Sequence, residues 1–223
     1  MNIKDRMRRI LKLRFAILYP FGLFIVLFAT PDDESIRFGI WFILTGLFIR
    51  VWANGYAIKM EKLTTSGPYA FVRHPLYLGT MFVIAGFIIM LKIYLVGVMF
   101  IILMAIIYRR TIKKEEDMLE KKFGELYINY KRKIAAMIPA FLPYQEGEKW
   151  PFSFRRLIHS QEYKLFIWVI VMVIAFHLKS EFLAEREIID AKILTLIIVA
   201  FLLGSVDLLG EFIKFRIRRK KDV

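Results

Sequence analysis

The 223-residue sequence contains no cysteine, and this absence excludes several kinds of chemistry. Disulfide bonds, thiolate catalysis and zinc sites built on sulfur cannot form. Histidine is scarce, since the chain has only three, and His159 and His177 have no partners at the spacing of metal ligands, so we assign them no role. The glycine-rich strand-to-helix turn of dinucleotide-binding folds is also missing from the sequence.

Apolar residues are abundant instead. The chain is 58% hydrophobic and has 21 phenylalanines, and its mean hydropathy is +0.51. These values are typical of an integral membrane protein. The formal net charge of +14 does not indicate nucleic-acid binding, because the Lys and Arg residues gather at the ends of apolar segments. Anionic lipid headgroups lie at that position, so we expect membrane lipids as partners and no nucleic acid.

The apolar segments predict an all-α polytopic membrane protein with about six transmembrane helices. A basic stretch precedes the first segment, but no small-residue cleavage site follows it, so we interpret it as a retained span and not as a signal peptide. The predicted spans are Phe15–Thr30, Phe38–Tyr56, Leu76–Leu91, Ile93–Tyr108, Leu165–Leu178 and Ile193–Ile213.

The third and fourth spans are separated by little more than Lys92. One continuous helix over residues 76–108 would be about 50 Å long, whereas the hydrocarbon core of a bilayer is about 30 Å thick. The chain is therefore expected to fold back here as a tight helical hairpin.

The distribution of positive charge predicts the orientation. With the N-terminus inside, the inner segments hold roughly 28 Lys and Arg residues and the outer ones about 5. Both outer loops, at residues 30–37 and 179–192, are net acidic. We therefore expect both termini to be cytoplasmic, in the plasma or inner membrane of the cell.

The segment "GPYAFVRHPLYLG", from Gly67 to Gly79, places charged and aromatic residues against the third span. Pro68 and Pro75 disfavour helix at the residues that precede them, so Ser66–His74 is predicted to be an ordered non-helical loop. Irregular backbone at membrane depth is tolerated where it lines a cavity. The loop is therefore expected to form part of a cavity at the cytoplasmic face.

A second polar block, "RRTIKKEEDMLEKKFGELYINYKRK", follows the fourth span and has the apolar period of a cytoplasmic amphipathic helix. A hairpin returns the chain to the side it left, so His74 and Tyr77 are expected near Glu115 and Glu116. Aromatic rings attract cations, and carboxylates bind hydroxyl or amino groups. The predicted pocket therefore suits a cationic ligand with hydroxyls, such as a sulfonium.

Simpler interpretations exist for each residue. Arg73 and Tyr77 can anchor the chain at the membrane interface, and Arg50 can snorkel to the headgroups. The two glutamates can lie on a solvated helix face with i,i+4 partners. Asp207, within the last predicted span, is expected to contact a neighbouring helix, since a carboxylate there is costly.

The pattern from Phe48 to Pro143, taken as a whole, favours a functional site over these simpler interpretations. The combination "SGPYxxxRHPxYxG", a hydrophobic hairpin and "EExxLxxxFGxxYxxYxxxI" resembles the isoprenylcysteine carboxyl methyltransferase and phospholipid methyltransferase family of integral-membrane enzymes. The resemblance covers a little under half of the chain. It divides the sequence into an N-terminal span and acidic outer loop (1–37), a methyltransferase-like core (38–143), and a linker with two C-terminal spans (144–223).

The resemblance implies S-adenosylmethionine as cofactor at the cytoplasmic membrane face and a lipophilic acceptor that arrives from the bilayer. That acceptor could be a prenylcysteine-like carboxylate, a phospholipid amine or another small lipid. The cofactor contacts of the family carry over to Asn54, Leu63, Thr64, Tyr69, His74, Pro75, Leu76, Tyr77 and Glu115.

The sequence departs from the family at two positions. Glu61 replaces a histidine that contacts the cofactor in eukaryotic members, and Thr111 replaces an arginine that meets the substrate carboxylate. Arg109 and Arg110, immediately before Thr111, are the candidates to orient a carboxylate. An amine or hydroxyl acceptor would instead have to lose a proton, for which Glu116 or His74 is the candidate base.

Two other functions remain open on the sequence. Membrane sterol reductases have a related core and bind NADPH, although "HxNY" is expected there in place of residues 74–77, and a non-catalytic protein could retain the same fold. The linker adds Trp150, Phe152 and Phe154 beside Arg155 and Arg156, a mixture suited to the headgroup level. We expect it to flank a lateral entrance for the acceptor, or else to anchor or dimerise the protein.

Overall fold

The structure is a computed structural model that describes residues 29–58, 62–160 and 163–184. Nearly all of the first predicted span, the whole last span, Asp207 and Glu61 lie outside the described residues. Within those residues the chain is all-helical and has no strand, as predicted. The elements are α1 (Asp33–Tyr56), a 3₁₀ turn (Gly67–Ala70), α2 (Pro75–Met90), α3 (Tyr94–Phe123), α4 (Glu125–Lys133), α5 (Phe154–His159) and α6 (Tyr163–Ala184).

Two of the described helices are long and apolar enough to cross a membrane. They are α1, with a mean hydropathy of 1.5, and α3, with 2.0, while α2 is apolar but shorter. Large apolar side chains on their surfaces are exposed, among them Trp41, Phe48, Leu95 and Met99. Exposed apolar surfaces of this extent are typical of helices that face lipid or another protein. The chain is an integral membrane protein by these features, and the count of six spans stays a prediction.

Helices α1 and α2 pack with their backbones in close contact. A β-carbon added at Gly46 would lie 2.5 Å from the carbonyl oxygen of Gly79, and one added at Gly39 would lie 2.6 Å from that of Gly86. Small residues at these crossings allow the approach, as is common between membrane helices. The Ser35 hydroxyl also donates to the Met90 carbonyl at 2.9 Å. Helix α2 is thereby fixed against α1 over its length.

The chain reverses direction between α2 and α3 within residues 91–93. Lys92 has a φ of 54°, a left-handed conformation that permits this short turn. Near the turn, Gly97 lies against the Ile88 side chain, and at the far end the rings of Tyr77 and Tyr108 are 4.7 Å apart. The polar end of α3 therefore lies beside the start of α2, and the crossing of a membrane by this hairpin stays a prediction.

The amphipathic segment after the fourth span forms two helices and not one. Gly124, with a φ of 54°, ends α3, and α4 begins at the next residue. The change of direction separates positions that a single helix would place on one face. Tyr127 and Tyr130 are buried, whereas Met118 and Leu126 are exposed. A continuous helical period was the wrong assumption here, because a residue at positive φ interrupts the helix.

The predicted loop from Ser66 to His74 is ordered by backbone hydrogen bonds to residues 135–144. It is not wholly non-helical as predicted, because Gly67–Ala70 form a 3₁₀ turn with proline at its second position. The amides of Arg73 and His74 donate to the carbonyls of Ala135 and Ala136, both at 3.0 Å. The Tyr130 hydroxyl donates to the Tyr69 carbonyl at 2.5 Å. A buried cluster of Ala70, Tyr127, Tyr130, Ile134 and Tyr144 lies beneath this loop.

Residues 34–168 form one compact unit that contains all the features described below. The first part of the linker belongs to this unit, because Trp150, Phe152 and Arg156 contact α1 and the loop. The predicted boundary after residue 143 therefore lies inside a packed region of the molecule.

Candidate active site

A cavity of about 560 Å³ lies where the end of α1, the Ser66–His74 loop, the start of α2, α3 and α4 converge. Every residue predicted to contact the cofactor lines it: Asn54, Leu63, Thr64, Tyr69, His74, Pro75, Leu76, Tyr77 and Glu115. These positions are up to 61 residues apart in sequence, and the antiparallel return of α3 brings Glu115 to the others.

Glu115 and Tyr77 form the polar contact at the centre of this cavity wall. The Tyr77 hydroxyl donates to Glu115 Oε1 at 2.7 Å, and His74 Nδ1 lies 3.6 Å from Glu115 Oε2. The Tyr77 ring also packs on the ring of Tyr108. The Glu115 side chain is 40% exposed. Its carboxylate is therefore oriented by its neighbours and still available to a ligand.

Glu116, the neighbouring residue, has a different environment. Its side chain is only 10% exposed, and its carboxylate pairs with Arg73 Nη1 at 2.9 Å and Lys131 Nζ at 3.2 Å. His74 Nε2 lies 3.4 Å from the same carboxylate. Glu116 does not line the 560 Å³ cavity. The interpretation of Arg73 as an interfacial anchor is wrong, because its side chain is buried in this ion pair.

Burial determines the protonation of His74. Desolvation lowers the pKa of the His74 imidazole below its ordinary value of 6.5, with a smaller contribution from Arg73. Glu115 and Glu116 act in the opposite direction without cancelling the effect of burial. His74 is therefore neutral at neutral pH. A neutral imidazole carries one N–H and carboxylates only accept, so His74 can donate a hydrogen bond to only one of the two glutamates at a time.

This lowered pKa predicts a loss of stability on acidification. Below pH 6.5 the unfolded chain takes up a proton at His74 while the folded chain does not, so the free energy of unfolding falls as the pH is lowered from 6.5 towards the folded pKa. Thermal unfolding of wild-type protein and of His74→Gln across this pH range is expected to show a weaker pH dependence in the variant. His177→Gln is the matched control, since His177 is half exposed, and it should follow the wild type. Equal slopes in the wild type and His74→Gln would contradict the prediction.

A second cavity of about 430 Å³ lies beside the first and shares Arg73 and Tyr108 with it. Arg109, Lys113 and Glu116 line it, together with the apolar side chains of Met81, Ala105, Ile112 and Met137. Of the predicted catalytic residues, Arg109 and Glu116 thus lie at this cavity. Arg110 is exposed and lines neither cavity. Thr111 lies inside α3, and its hydroxyl donates to the Ile107 carbonyl one turn earlier in the same helix.

Several cavity residues were not predicted from the sequence as site residues. Arg50 donates to the Leu76 carbonyl at 3.1 Å and also to the Thr80 hydroxyl, so it braces the start of α2 and does not snorkel. Asn54 donates back to the Arg50 carbonyl at 2.9 Å. The sequence signal that could have pointed to Arg50 as a site residue was its position one helical turn before Asn54 in α1. The remaining unpredicted lining residues include Ala57, Ile58, Lys62, Tyr108, Met118, Leu119, Tyr127 and Tyr130.

The part of the chain that is similar to known proteins coincides with the part that forms the two cavities. Residues 36–126 match the family model for phospholipid methyltransferases. This segment begins near the start of α1 and ends at the start of α4, so it contains most of the residues that line both cavities.

Curated relatives include two mammalian enzymes. The protein-S-isoprenylcysteine O-methyltransferase of Mus musculus is 36% identical over 99 residues, which is 42% of this chain and 34% of the relative. The human protein of the same name is 32% identical over 128 residues, 49% of this chain and 44% of the relative. A bacterial relative, the cobalt-zinc-cadmium resistance protein CzcN of Cupriavidus metallidurans, is 31% identical over 127 residues, 55% of this chain and 58% of the relative.

The matched region spans about a third of the length of the mouse relative and less than two thirds of each of the others. No solved structure matches the chain at a significant level. The resemblance predicted from the sequence is nevertheless confirmed by the family model and by the mammalian relatives. Residues 36–126 of this chain thus match the phospholipid methyltransferase family model, and this part of the chain is similar to mammalian protein-S-isoprenylcysteine O-methyltransferases.

Proposed function

We propose that the protein is an S-adenosylmethionine-dependent methyltransferase that acts on a lipophilic acceptor at the cytoplasmic membrane face. The observation that carries the proposal is that all the residues which the family resemblance assigns to the cofactor line one cavity. The relatives named as methyltransferases support the type of reaction.

The residues of the larger cavity fit such a cofactor. Its volume of about 560 Å³ is within the range of small-molecule sites. Glu115 offers an oriented carboxylate for hydroxyl or amino groups, and the rings of Tyr69, Tyr77 and Tyr108 can face a cation. His74, which is neutral, adds no competing positive charge. We therefore assign cofactor binding to this cavity.

S-adenosylmethionine, when bound, supplies a methyl group that is already activated. The residues of the chain have to hold the acceptor in line and exclude water from it. We assign the acceptor head to the smaller cavity, because that cavity adjoins the first at Arg73 and Tyr108 and has apolar walls for a hydrocarbon chain.

The residues of the smaller cavity favour an acceptor that needs no base. Arg109 and Lys113 can orient a carboxylate there. Glu116 already accepts from Arg73 and Lys131, so it would have to break an ion pair to take a proton. His74 is the other candidate base if the acceptor is an amine or a hydroxyl, but it lines the larger cavity, so such an acceptor would have to reach past Arg73 and Tyr108 to meet it. Arg110 lies outside both cavities, and cavity geometry gives it no role.

The cytoplasmic location of both termini and of the site is part of this proposal and rests on the distribution of Lys and Arg. The absence of native cysteine makes it testable by labelling single introduced cysteines in intact cells. Labelling of a cysteine at position 148 by an impermeant reagent from outside would contradict it.

Equilibrium binding tests the proposal. Detergent-purified protein is expected to bind tritiated S-adenosylmethionine and not NADPH, and to transfer label to a lipid extract. Binding of NADPH without binding of the methyl donor would support the reductase alternative and reject the proposal. Label that entered only water-soluble protein would reject the lipophilic acceptor.

A further inference from the structure

Residues 147–156, here called the strap, contact residues that adjoin the lining of the larger cavity, and they lie beyond the segment that matches the family. The strap contacts the end of α1 through Trp150 and Arg156. The Trp150 indole N–H donates to the Tyr56 carbonyl at 2.9 Å, and Arg156 Nε donates to the Gly55 carbonyl at 2.9 Å. The amide of Ser153 donates to the same Gly55 carbonyl at 2.9 Å.

The strap also contacts the beginning of the Ser66–His74 loop. The hydroxyls of Thr65 and Ser66 donate to the Glu148 carbonyl at 3.2 and 3.0 Å. The Trp150 amide donates in return to the Ser66 hydroxyl at 3.1 Å. Lys62, which lines the cavity, pairs with the Glu148 carboxylate at 2.7 Å. The strap is thus hydrogen-bonded to two segments on either side of residues 59–61.

Packing leaves no space between the strap and these segments. A β-carbon added at Gly55 would lie 2.0 Å from Phe152 Cε2, and one added at Gly147 would lie 2.0 Å from the Thr65 hydroxyl. The Phe152 ring also meets the ring of Tyr56 edge to face, with centroids 5.8 Å apart. The glycines therefore allow a close approach that a larger residue would prevent.

The residues that the strap contacts are neighbours in sequence of residues that line the larger cavity. Gly55 and Tyr56 lie between Asn54 and Ala57, which both line the cavity. Thr65 and Ser66 directly follow Leu63 and Thr64, which line it as well. The strap consequently holds two walls of the cavity at a fixed separation.

We propose that the strap is a positioning element for the cofactor, so that the affinity of the larger cavity depends on Trp150 and Arg156 although neither lines it. The identity of the ligand in this inference rests on the proposed function. A location of these side chains at the lipid headgroups explains less, because their donor groups are used within the protein.

Full-length Trp150→Phe and Arg156→Met test the inference, and each keeps an apolar side chain. Trp150→Phe removes the donor to the Tyr56 carbonyl, and Arg156→Met removes the donors to the Gly55 carbonyl and, within the strap, to the Pro151 carbonyl. Each is expected to weaken binding of S-adenosylmethionine by about tenfold, as for the loss of one partly buried hydrogen bond. Phe141→Ala is the control, because Phe141 is a fully exposed aromatic residue in the segment before the strap, and its affinity should equal that of wild type. Wild-type affinity in both strap variants would overturn the inference.

A steric pair gives a second test. Gly55→Ala is expected to displace the strap and weaken binding, and Phe152→Ala in the same chain should recover part of the loss by making room for the methyl group. Failure of the second substitution to recover any affinity would show that Gly55 acts independently of the strap.

Hydrogen exchange separates this inference from the proposed function. The amides of residues 55–57 and 65–66 are expected to exchange faster in both strap variants than in wild type or Phe141→Ala, with or without ligand. If wild-type protein binds no S-adenosylmethionine, the proposed function fails, and the exchange data still decide whether the strap holds the walls. Unchanged exchange would overturn the positioning role.

Discussion

Replacing Glu115 by alanine is expected to weaken binding of S-adenosylmethionine by about tenfold to a hundredfold, the effect of losing a charged hydrogen-bond acceptor in a partly enclosed site. The carboxylate lines the larger cavity and accepts a hydrogen bond from Tyr77 at 2.7 Å. Its removal takes away both a ligand contact and the partner that orients the tyrosine. Equilibrium binding to purified protein measures the effect.

Two further variants separate charge from general damage. Asp117→Ala removes an exposed carboxylate two residues along the same helix, outside both cavities, and should leave the affinity unchanged. Glu115→Gln keeps an acceptor for the Tyr77 hydroxyl and loses the charge, so its affinity should lie between those of wild type and Glu115→Ala. If Glu115→Ala and Asp117→Ala bind equally well, the cofactor lies elsewhere.

Substitution of Arg73 by methionine is expected to cost about 3 kcal/mol or more of unfolding free energy, because it leaves a buried carboxylate without its closest cation. Glu116 is 10% exposed and pairs with Arg73 at 2.9 Å. Lys131 remains 3.2 Å from the carboxylate and compensates in part. Denaturant unfolding in detergent measures the loss.

Two control variants separate the effect of the buried ion pair from the loss of any arginine. Arg110→Met removes an exposed arginine from α3 and should change the unfolding free energy by less than about 0.5 kcal/mol. In Arg73→Met/Glu116→Leu the buried carboxylate is gone, so most of the lost stability should return. A single variant as stable as the Arg110 control would show that the ion pair is not structural.

The two glutamates show where sequence reasoning succeeded and where it stopped. Adjacent side chains on a helix point in directions about 100° apart, so Glu115 and Glu116 could not occupy the same environment. The hairpin argument predicted that both would approach His74, and both do. It did not predict that Glu115 would line the cavity while Glu116 would be buried against Arg73 and Lys131.

The arginines and the linker were harder to interpret. Arg50 and Arg73 look like snorkelling residues in the sequence, because each lies near the end of an apolar segment. The sequence shows that position but not the partner of the side chain. Their partners, the Leu76 carbonyl and Glu116, are 26 and 43 residues away. Trp150 and Arg156 bind carbonyls that lie 94 and 101 residues before them. No local pattern encodes which distant carbonyl will accept these hydrogen bonds.

The sequence by itself determined the helical class, the ordered segment between the two prolines, the family resemblance and nine of the residues that line the larger cavity. These follow from composition, from proline geometry and from a motif whose order along the chain is specific. Only the tertiary structure decided which glutamate lines the larger cavity, that Gly124 divides the helix after the fourth predicted span, and that the strap donates hydrogen bonds to the Gly55 carbonyl. These features depend on burial and on the geometry of contacts between distant segments, which a one-dimensional pattern does not contain.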